Sequence, residues 1–193
     1  MIRRATKEDR TRAVQVLGAS FDANPAVNDT IIPDGKRNQR LNALMEYIFD
    51  TGFARDGVFV MDDISGVVVL YDPVTYPSKF SDSFRQVKLV HRSIGWSRMR
   101  YAAAKDKKMA GFRPSTPHLY LQMIGIDPQS QGQGIGSTLI NFIQEKSQEE
   151  HMPVYLETSV LKNVEMYLRK GFVIHGDWKI RDNYHVHFMH WNP

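Results

Sequence analysis

Three glycines in one short segment have the spacing of a phosphate-binding turn. Gly132, Gly134 and Gly136 follow the apolar stretch 119–126, whose length and β-propensity predict a strand. Apolar residues with helical spacing follow them, from 135 to 143. A turn from strand to helix directs several backbone N–H groups at one anion, and the helix dipole adds to the attraction. The segment therefore predicts a site for a phosphate or a pyrophosphate.

Three kinds of phosphate-binding loop compete for this segment. A P-loop needs a Lys before its last Ser or Thr, and no Lys precedes Ser137. A dinucleotide-binding turn needs Gly-x-Gly-x-x-Gly, and Ser137 stands where the third glycine belongs. Glu157 still supports a dinucleotide site, because it lies about 20 residues further on, where a ribose-binding acid is expected. The pattern Gln-x-x-Gly-x-Gly is met in full from Gln131 to Gly136. This segment resembles the acetyl-CoA pyrophosphate loop of the GNAT superfamily of N-acetyltransferases.

A second motif lies downstream at the spacing of the same superfamily. Asn163 and Tyr167 are one helical turn apart, and Gly171 is predicted to end their helix in a left-handed cap before Phe172. This string is similar to the second GNAT signature. The preceding segment 156–159, Leu-Glu-Thr-Ser, is similar to a strand of puromycin N-acetyltransferases.

The resemblance, strongest over about 117–175, implies a fold and a reaction. The fold is a mixed α/β (α+β) acetyltransferase fold, with a mostly antiparallel central sheet and helices on both faces. Residues 1–193 would form a single N-acetyltransferase domain with its CoA-binding core at about 117–175. The reaction implied is direct transfer of acetyl from acetyl-CoA, without a metal, to a primary amine of a small molecule.

The resemblance also assigns the groups that bind CoA. The pantetheine arm would lie on backbone groups of Met123, Ile124, Gly125 and Ile126. The pyrophosphate would lie on the loop formed by Gln131, Gly132, Gln133, Gly134, Ile135, Gly136 and Ser137. Glycine suits this loop because a Cβ would obstruct the phosphate or demand a strained backbone. Asn163 either bonds the CoA arm or caps its own helix.

Acetyl transfer also needs an acid and a base. By its matching position, Tyr167 is the expected general acid, since a phenol with a pKa of about 10 stays protonated at neutral pH; the alternative is a core tyrosine. Glu157 is the candidate base, although it could instead orient the acceptor or satisfy a buried backbone group. His118 and His91 are alternative bases.

The chain contains no cysteine, which excludes disulfides, thiolate metal sites and a cysteinyl acyl-enzyme. His185, His187 and His190 invite a metal interpretation. However, the first two share a strand face while the third points the other way, so no metal site is expected.

Positive charge is concentrated between Lys79 and Arg113. This segment holds ten Lys or Arg against Asp82 and Asp106, a net charge of +8 in a chain of net charge +4. It is interpreted as a solvated helical face, as an attractor for CoA or an acidic acceptor, or as a nucleic-acid patch. No recognition motif accompanies the charge, so nucleic acid is the least favoured partner.

Composition and hydrophobic periodicity predict the location of the protein and its secondary structure. The 193 residues are 42% hydrophobic, with no apolar run of membrane-spanning length and no secretory h-region at the start. A cytoplasmic protein without membrane contact is expected, and its oligomeric state is left open. Strands are predicted at 2–5, 58–61, 64–71, 119–126, 154–159, 173–180 and 184–191. Helices are predicted after a Thr6–Asp9 cap, over 41–49, near 81–109, after the glycine loop and around Asn163, with a chain break at Asn24-Pro25.

Other functions fit parts of the pattern. Acetylation of protein N-termini or lysines is one, and a CoA-binding regulator without catalysis is another, although Tyr167 argues against it. A dinucleotide-dependent oxidoreductase is the least favoured, because too little chain follows Glu157 to build a doubly wound sheet.

Overall fold

A seven-stranded sheet organises the molecule, which is described from a computed structural model covering residues 1–75, 86–182 and 184–193. Its strand order is β1-β2-β3-β4-β5-β7-β6, and every neighbouring pair is antiparallel except β4 and β5. The strands are β1 Ile2–Arg4, β2 Val58–Met61, β3 Gly66–Tyr71, β4 Leu119–Ile126, β5 Val154–Thr158, β6 Val173–Arg181 and β7 Tyr184–Trp191. The prediction of a mixed, mostly antiparallel sheet is confirmed. The described residues do not form the doubly wound parallel sheet that the dinucleotide interpretation requires.

Helices cover both faces of this sheet, as expected. They are α1 Arg10–Phe21, α2 Pro25–Thr30, α3 Arg37–Phe53, α4 Met99–Ala110, α5 Ile135–Glu150 and α6 Leu161–Arg169. One core cluster joins α1 and α3 to β2 and β3 through buried residues such as Leu17, Phe49 and Val69. A second cluster joins α5 and α6 to the opposite face of the sheet, with Leu139, Leu121 and others. No helix among the described residues is both long enough and apolar enough to cross a bilayer.

The first helix begins later than its sequence pattern predicts. Helix α1 starts at Arg10, and a turn occupies the residues after Thr6. The Asp9 carboxylate accepts the Thr6 backbone N–H at 2.7 Å, as the reciprocal acid of a cap would, and also binds Arg3 in a bidentate pair. The break at Asn24 is confirmed, and it opens α2, whose Ala26 N–H donates to the Asn24 side chain at 2.9 Å.

The single helix predicted near 81–109 is interrupted. A π-helical turn, Val90–Ile94, is followed by Gly95, a short 3₁₀ turn and then α4. Gly95 has a φ of +79°, a left-handed conformation that interrupts the helix, and a Cβ there would lie 2.4 Å from Ile32 Cδ1, so glycine is required at the break. The predicted start at 81–85 lies outside the described residues.

Several cations of the basic segment are used within the fold and are not simply solvated. The buried Lys105 ammonium bonds Asp29 at 2.8 Å and Thr30 Oγ1 at 3.0 Å. Arg98 donates to two backbone carbonyls of the region around α2, and Arg92 pairs with Glu46 at 3.0 Å. These contacts fasten α4 and the π-helical turn to α2 and α3. Lys79, Asp82 and Arg85 of this segment lie outside the described residues.

Candidate active site

The parallel strands β4 and β5 separate part of the way along the sheet. Their ladder ends at Leu121 and Leu156, whereas β4 continues to Ile126 and β5 to Thr158. Beyond that point the backbone groups of β4 that face β5 have no hydrogen-bond partner in β5. Backbone groups that stay buried and unpaired cost free energy. The four residues predicted to hold a pantetheine arm, Met123, Ile124, Gly125 and Ile126, lie in this separated part. One of their N–H groups, that of Ile126, donates to Ser20 Oγ at 3.2 Å.

A β-bulge at Gln122 accompanies the separation. In the β3–β4 ladder Val69 pairs with Met123 and the next residue, Leu70, pairs with Leu121, so Gln122 is left without a partner strand residue. The bulge reverses the alternation of side chains along β4. Leu121 packs in the α5–α6 cluster, while Met123 packs in the α1–α3 cluster.

The glycine segment forms the turn into α5. Gly132 and Gly134 have φ of +80° and +81°, and a Cβ at either would meet no protein atom within 4 Å. Their backbone conformation, and not crowding by the protein, therefore requires glycine. Gly134 is the N-cap of α5, no side chain caps the helix, and the loop from Gln131 to Gly134 is exposed. The first N–H groups of α5 are consequently free to bind an anion.

Gly136 serves packing. A Cβ there would lie 3.2 Å from Ile126 Cδ1 and 3.9 Å from Met166 Sδ. The start of α5 is thus pressed against the end of β4 and against α6. Ile135 is partly buried against the α5–α6 cluster, and Ser137 is exposed on the first turn of α5.

Tyr167 and Asn163 lie on α6 as the spacing predicts. The left-handed cap predicted at the end of α6 is confirmed, because Gly171 has a φ of +83°. The Gly171 N–H donates to Leu168 O, and the Phe172 N–H donates to Tyr167 O, both at 3.0 Å. Asn163 is the third residue of α6 and Val160 is its N-cap, so Asn163 does not cap the helix.

The Tyr167 side chain is buried in the α5–α6 cluster, and its ring lies 5.3 Å from that of Phe172. No described residue hydrogen-bonds its hydroxyl. Burial raises the pKa of Tyr167 above its ordinary value, so the phenol keeps its proton at neutral pH. The ring packs as a core tyrosine does, while its hydroxyl is free to donate.

Glu157 lies on the opposite face of the sheet from Tyr167. Its neighbour Leu156 is in the α5–α6 cluster, so alternation turns Glu157 toward the other face. There its Oε1 accepts the hydroxyl of Tyr120, and its Oε2 is enclosed without a partner. Burial raises the pKa of Glu157, although the charge of Arg113 and the bond from Tyr120 oppose the rise. A carboxylate with a raised pKa is a better proton acceptor.

Five of the nine side-chain atoms that are enclosed without a hydrogen-bond partner among the described residues lie on β4 and β5 or on the loops beside them. They are Arg113 Nε, His118 Nε2, Gln122 Oε1, Glu157 Oε2 and Ser159 Oγ. Native proteins leave few such groups, and each calls for an explanation. Their concentration on β4, β5 and the adjoining loops suits a site whose polar partners come from a ligand or from water.

The histidines considered from sequence do not form one site. His118 is buried, with Nδ1 donating to Thr116 O at 2.8 Å and its ring 5.3 Å from that of Tyr155. His91 is exposed in the π-helical turn beside α3. The rings of His185 and His187 are 6.2 Å apart, whereas His190 Nδ1 lies 3.3 Å from His175 Nδ1. Among the described residues, no three His, Cys, Asp or Glu side chains are grouped to hold a metal ion.

Sequence reasoning did not single out Tyr120, Gln122 or Arg113. Tyr120 alternates with Leu119 and Leu121, a pattern that hides a polar tip within an apolar strand. Gln122 was the one polar residue in that strand and could have indicated the bulge. Nothing local distinguishes Arg113 from the other cations of the basic segment.

Comparisons with known proteins agree with this fold. Residues 61–193 match a family model described as an acetyltransferase (GNAT) domain. A Corynebacterium glutamicum structure described as histone acetyltransferase HPA2 and related acetyltransferase has a TM-score of 0.75 and 24% identity, over 100% of this chain and 96% of its own. Arylalkylamine N-acetyltransferase 2 of Aedes aegypti has a TM-score of 0.64 and 12% identity, over 100% and 98%. Polyamine N-acetyltransferase of Drosophila melanogaster has a TM-score of 0.63 and 13% identity, over 100% and 99%.

Proposed function

The chain belongs to the GNAT acetyltransferase family, and we propose that it transfers acetyl from acetyl-CoA to a primary amine of a small molecule. The observation that carries this proposal is the separation of β4 from β5 directly before the uncapped start of α5. It offers an extended backbone edge followed by an anion-binding turn, which suits a pantetheine arm followed by a pyrophosphate. We propose that residues 1–193 act as one N-acetyltransferase domain with its CoA-binding core at about 117–175, since one sheet runs from β1 to β7.

In this proposal the cosubstrate lies along the protein backbone. Backbone groups of Met123, Ile124, Gly125 and Ile126 bind the pantetheine amides on the side of β4 that faces away from β3, where the Ile126 N–H already donates to Ser20 Oγ. N–H groups of the loop from Gln131 to Ser137 bind the pyrophosphate, and the dipole of α5 adds to the attraction. The Asn163 side chain, which does not cap α6, is available to the CoA arm.

The reaction is a direct displacement in a ternary complex. The amine nitrogen forms a bond to the acetyl carbonyl carbon while the carbon–sulfur bond breaks, and the amine loses one proton. Glu157 accepts that proton, through a water where its enclosed carboxylate is not reached directly, and Tyr167 donates its phenolic proton to the departing thiolate. The two residues lie on opposite faces of the sheet, so this proposal requires that one bound molecule reach both through the opening between β4 and β5.

The acceptor is proposed to be a small amine, as the similarity of the strand around Glu157 to puromycin N-acetyltransferases suggests. The test is a screen of primary amines for thiol release that depends on acetyl-CoA, with mass spectrometry of each product. Acetylated amine and intersecting lines in double-reciprocal plots are expected. Parallel lines with an isolable acetyl-enzyme would contradict direct transfer, and tight CoA binding without any turnover would favour a regulator.

A further inference from the structure

Arg113 is a partly buried cation with no hydrogen bond or ion pair from its side chain to any residue that the structure describes. Its Nε is fully enclosed, and its guanidinium lies over the ring of Tyr120, 4.0 Å from the ring centroid. Buried arginines are normally paired with anions. A ring face compensates part of the lost hydration, but it fills none of the five N–H donors.

The backbone around Arg113 is held firmly. The Arg113 N–H donates to Ala110 O at 3.1 Å, and the preceding Phe112 ring stacks on Phe188 with centroids 3.9 Å apart. The carbonyl of Phe112 also accepts from His175 Nε2 at 2.9 Å. The guanidinium therefore belongs to a fixed site, unlike the exposed cations earlier in the basic segment.

A second charge of opposite sign faces the same tyrosine. Tyr120 donates its hydroxyl to Glu157 Oε1, and Glu157 Oε2 has no partner in the part of the chain that the structure describes. No direct ion pair joins Arg113 to Glu157 among the described residues. Asp106, exposed on α4, also acts on Arg113 electrostatically without forming an ion pair with it. A cation thus lies over the ring face of Tyr120 and an anion at its hydroxyl, each with a hydrogen-bonding atom that no described residue fills.

We propose that Arg113 binds a carboxylate of the acceptor, so that the preferred acceptors are α-amino acids whose amine faces Glu157. This inference rests on the proposed acetyl transfer. A guanidinium matches a carboxylate with two parallel N–H···O bonds, which an ammonium cannot do. An acceptor that carries both groups fills the cation and the anion of the site at once, whereas a simple alkylamine leaves Arg113 without a partner.

The test compares acceptors that differ by one carboxylate. The pairs are tyrosine with tyramine and arginine with agmatine, assayed by thiol release from acetyl-CoA. We expect the wild type to prefer the amino acid of at least one pair. Arg113→Gln should lower kcat/KM for that amino acid by about 10- to 100-fold, mainly through KM, because hydrogen bonds to charged groups are lost. The matching amine should change little, and Arg113→Lys should restore part of the preference.

Arg100→Gln is the matched control, since Arg100 is exposed in the same segment and the charge change is identical. It should leave the preference unchanged. Calorimetric titration of the same pairs into the CoA complex gives a readout without turnover, and thermal melting checks that each variant is folded. Equal use of both members of every pair, or an equal loss for both in Arg113→Gln, overturns the inference while acetyl transfer stands. If no amine is acetylated, the proposed function fails, and the titration alone decides whether Arg113 binds a carboxylate.

Discussion

The hydroxyl of Tyr120 donates to Glu157 Oε1 beside the last paired residues of β4 and β5. This side-chain bond continues the connection between the two strands for one residue after the backbone ladder stops. It also holds the candidate base at the edge of the opening.

Tyr167→Phe should lower kcat by about 10²–10⁴-fold, the usual contribution of a general acid, with little change in acetyl-CoA affinity. The protein should stay as stable as the wild type, because no described residue bonds the lost hydroxyl. The defect should shrink with acyl donors whose thiols are more acidic, since those leaving groups need less protonation. Steady-state rates with a series of thioesters measure this. An equal defect for every donor would remove Tyr167 from proton transfer.

Gly134→Ala should weaken CoA binding by at least about tenfold, because the turn must move to relieve a left-handed residue that costs about 1–2 kcal/mol. Gly18→Ala is the control: Gly18 lies inside α1 with open space at its Cβ position. It should raise the free energy of unfolding by about 0.5–1 kcal/mol and leave CoA binding unchanged. Calorimetric titration with CoA separates the two, and an unchanged affinity in folded Gly134→Ala would contradict the loop assignment.

Glu157→Gln should abolish the acidic limb of the pH–rate profile, because the amide keeps the bond from Tyr120 but accepts no proton. In the wild type that limb should lie above the ordinary carboxyl pKa of 4.5, since burial raises the pKa of Glu157. The folded state then binds more protons than the unfolded state in the window above 4.5, so stability falls as pH rises through it. Melting temperatures of Glu157→Gln should exceed those of the wild type near pH 8 and converge with them near pH 4. A variant that keeps the same acidic limb would show that another group is the base.

Asp29→Asn should destabilise the protein by about 3–5 kcal/mol, because it leaves the buried Lys105 ammonium without its carboxylate. The double variant Asp29→Asn/Lys105→Met should recover much of that loss, since no buried charge is then left without a partner. Asp182→Asn breaks an exposed pair with Lys179 and should change stability little. Urea unfolding at pH 7 measures all three, and a double variant no better than Asp29→Asn would show that the ion pair does not act as a unit.

Local features of the fold were predictable because neighbouring residues determine them. The left-handed cap at Gly171 and the hairpin of β6 and β7 follow from spacing and turn residues alone. The interruption at Gly95 was not predicted, because a single glycine is tolerated within a helical pattern and its contact with Ile32, a residue distant in the chain, is not visible in the sequence.

In the candidate site, too, features set by neighbouring residues were predictable and features set by distant contacts were not. The glycine turn and the position of Tyr167 on its helix follow from two short motifs. The surroundings of Glu157 do not, because they depend on a bulge in β4 and on an arginine placed by the stacking of Phe112 on Phe188. The residues before and after Gln122 are all apolar or aromatic, so the hydrophobic pattern of β4 did not reveal that the bulge changes which side chains face which core cluster.

The extra residue Gln122 places a trade-off between stability and activity at one position. Without Gln122, the side chains of β4 would alternate evenly between the two faces of the sheet. The backbone groups of its later residues would then be aligned to form hydrogen bonds with β5. Such a sheet would gain hydrogen bonds and lose the cleft that a thioester needs. Deletion of Gln122 is therefore expected to exchange catalytic power for stability.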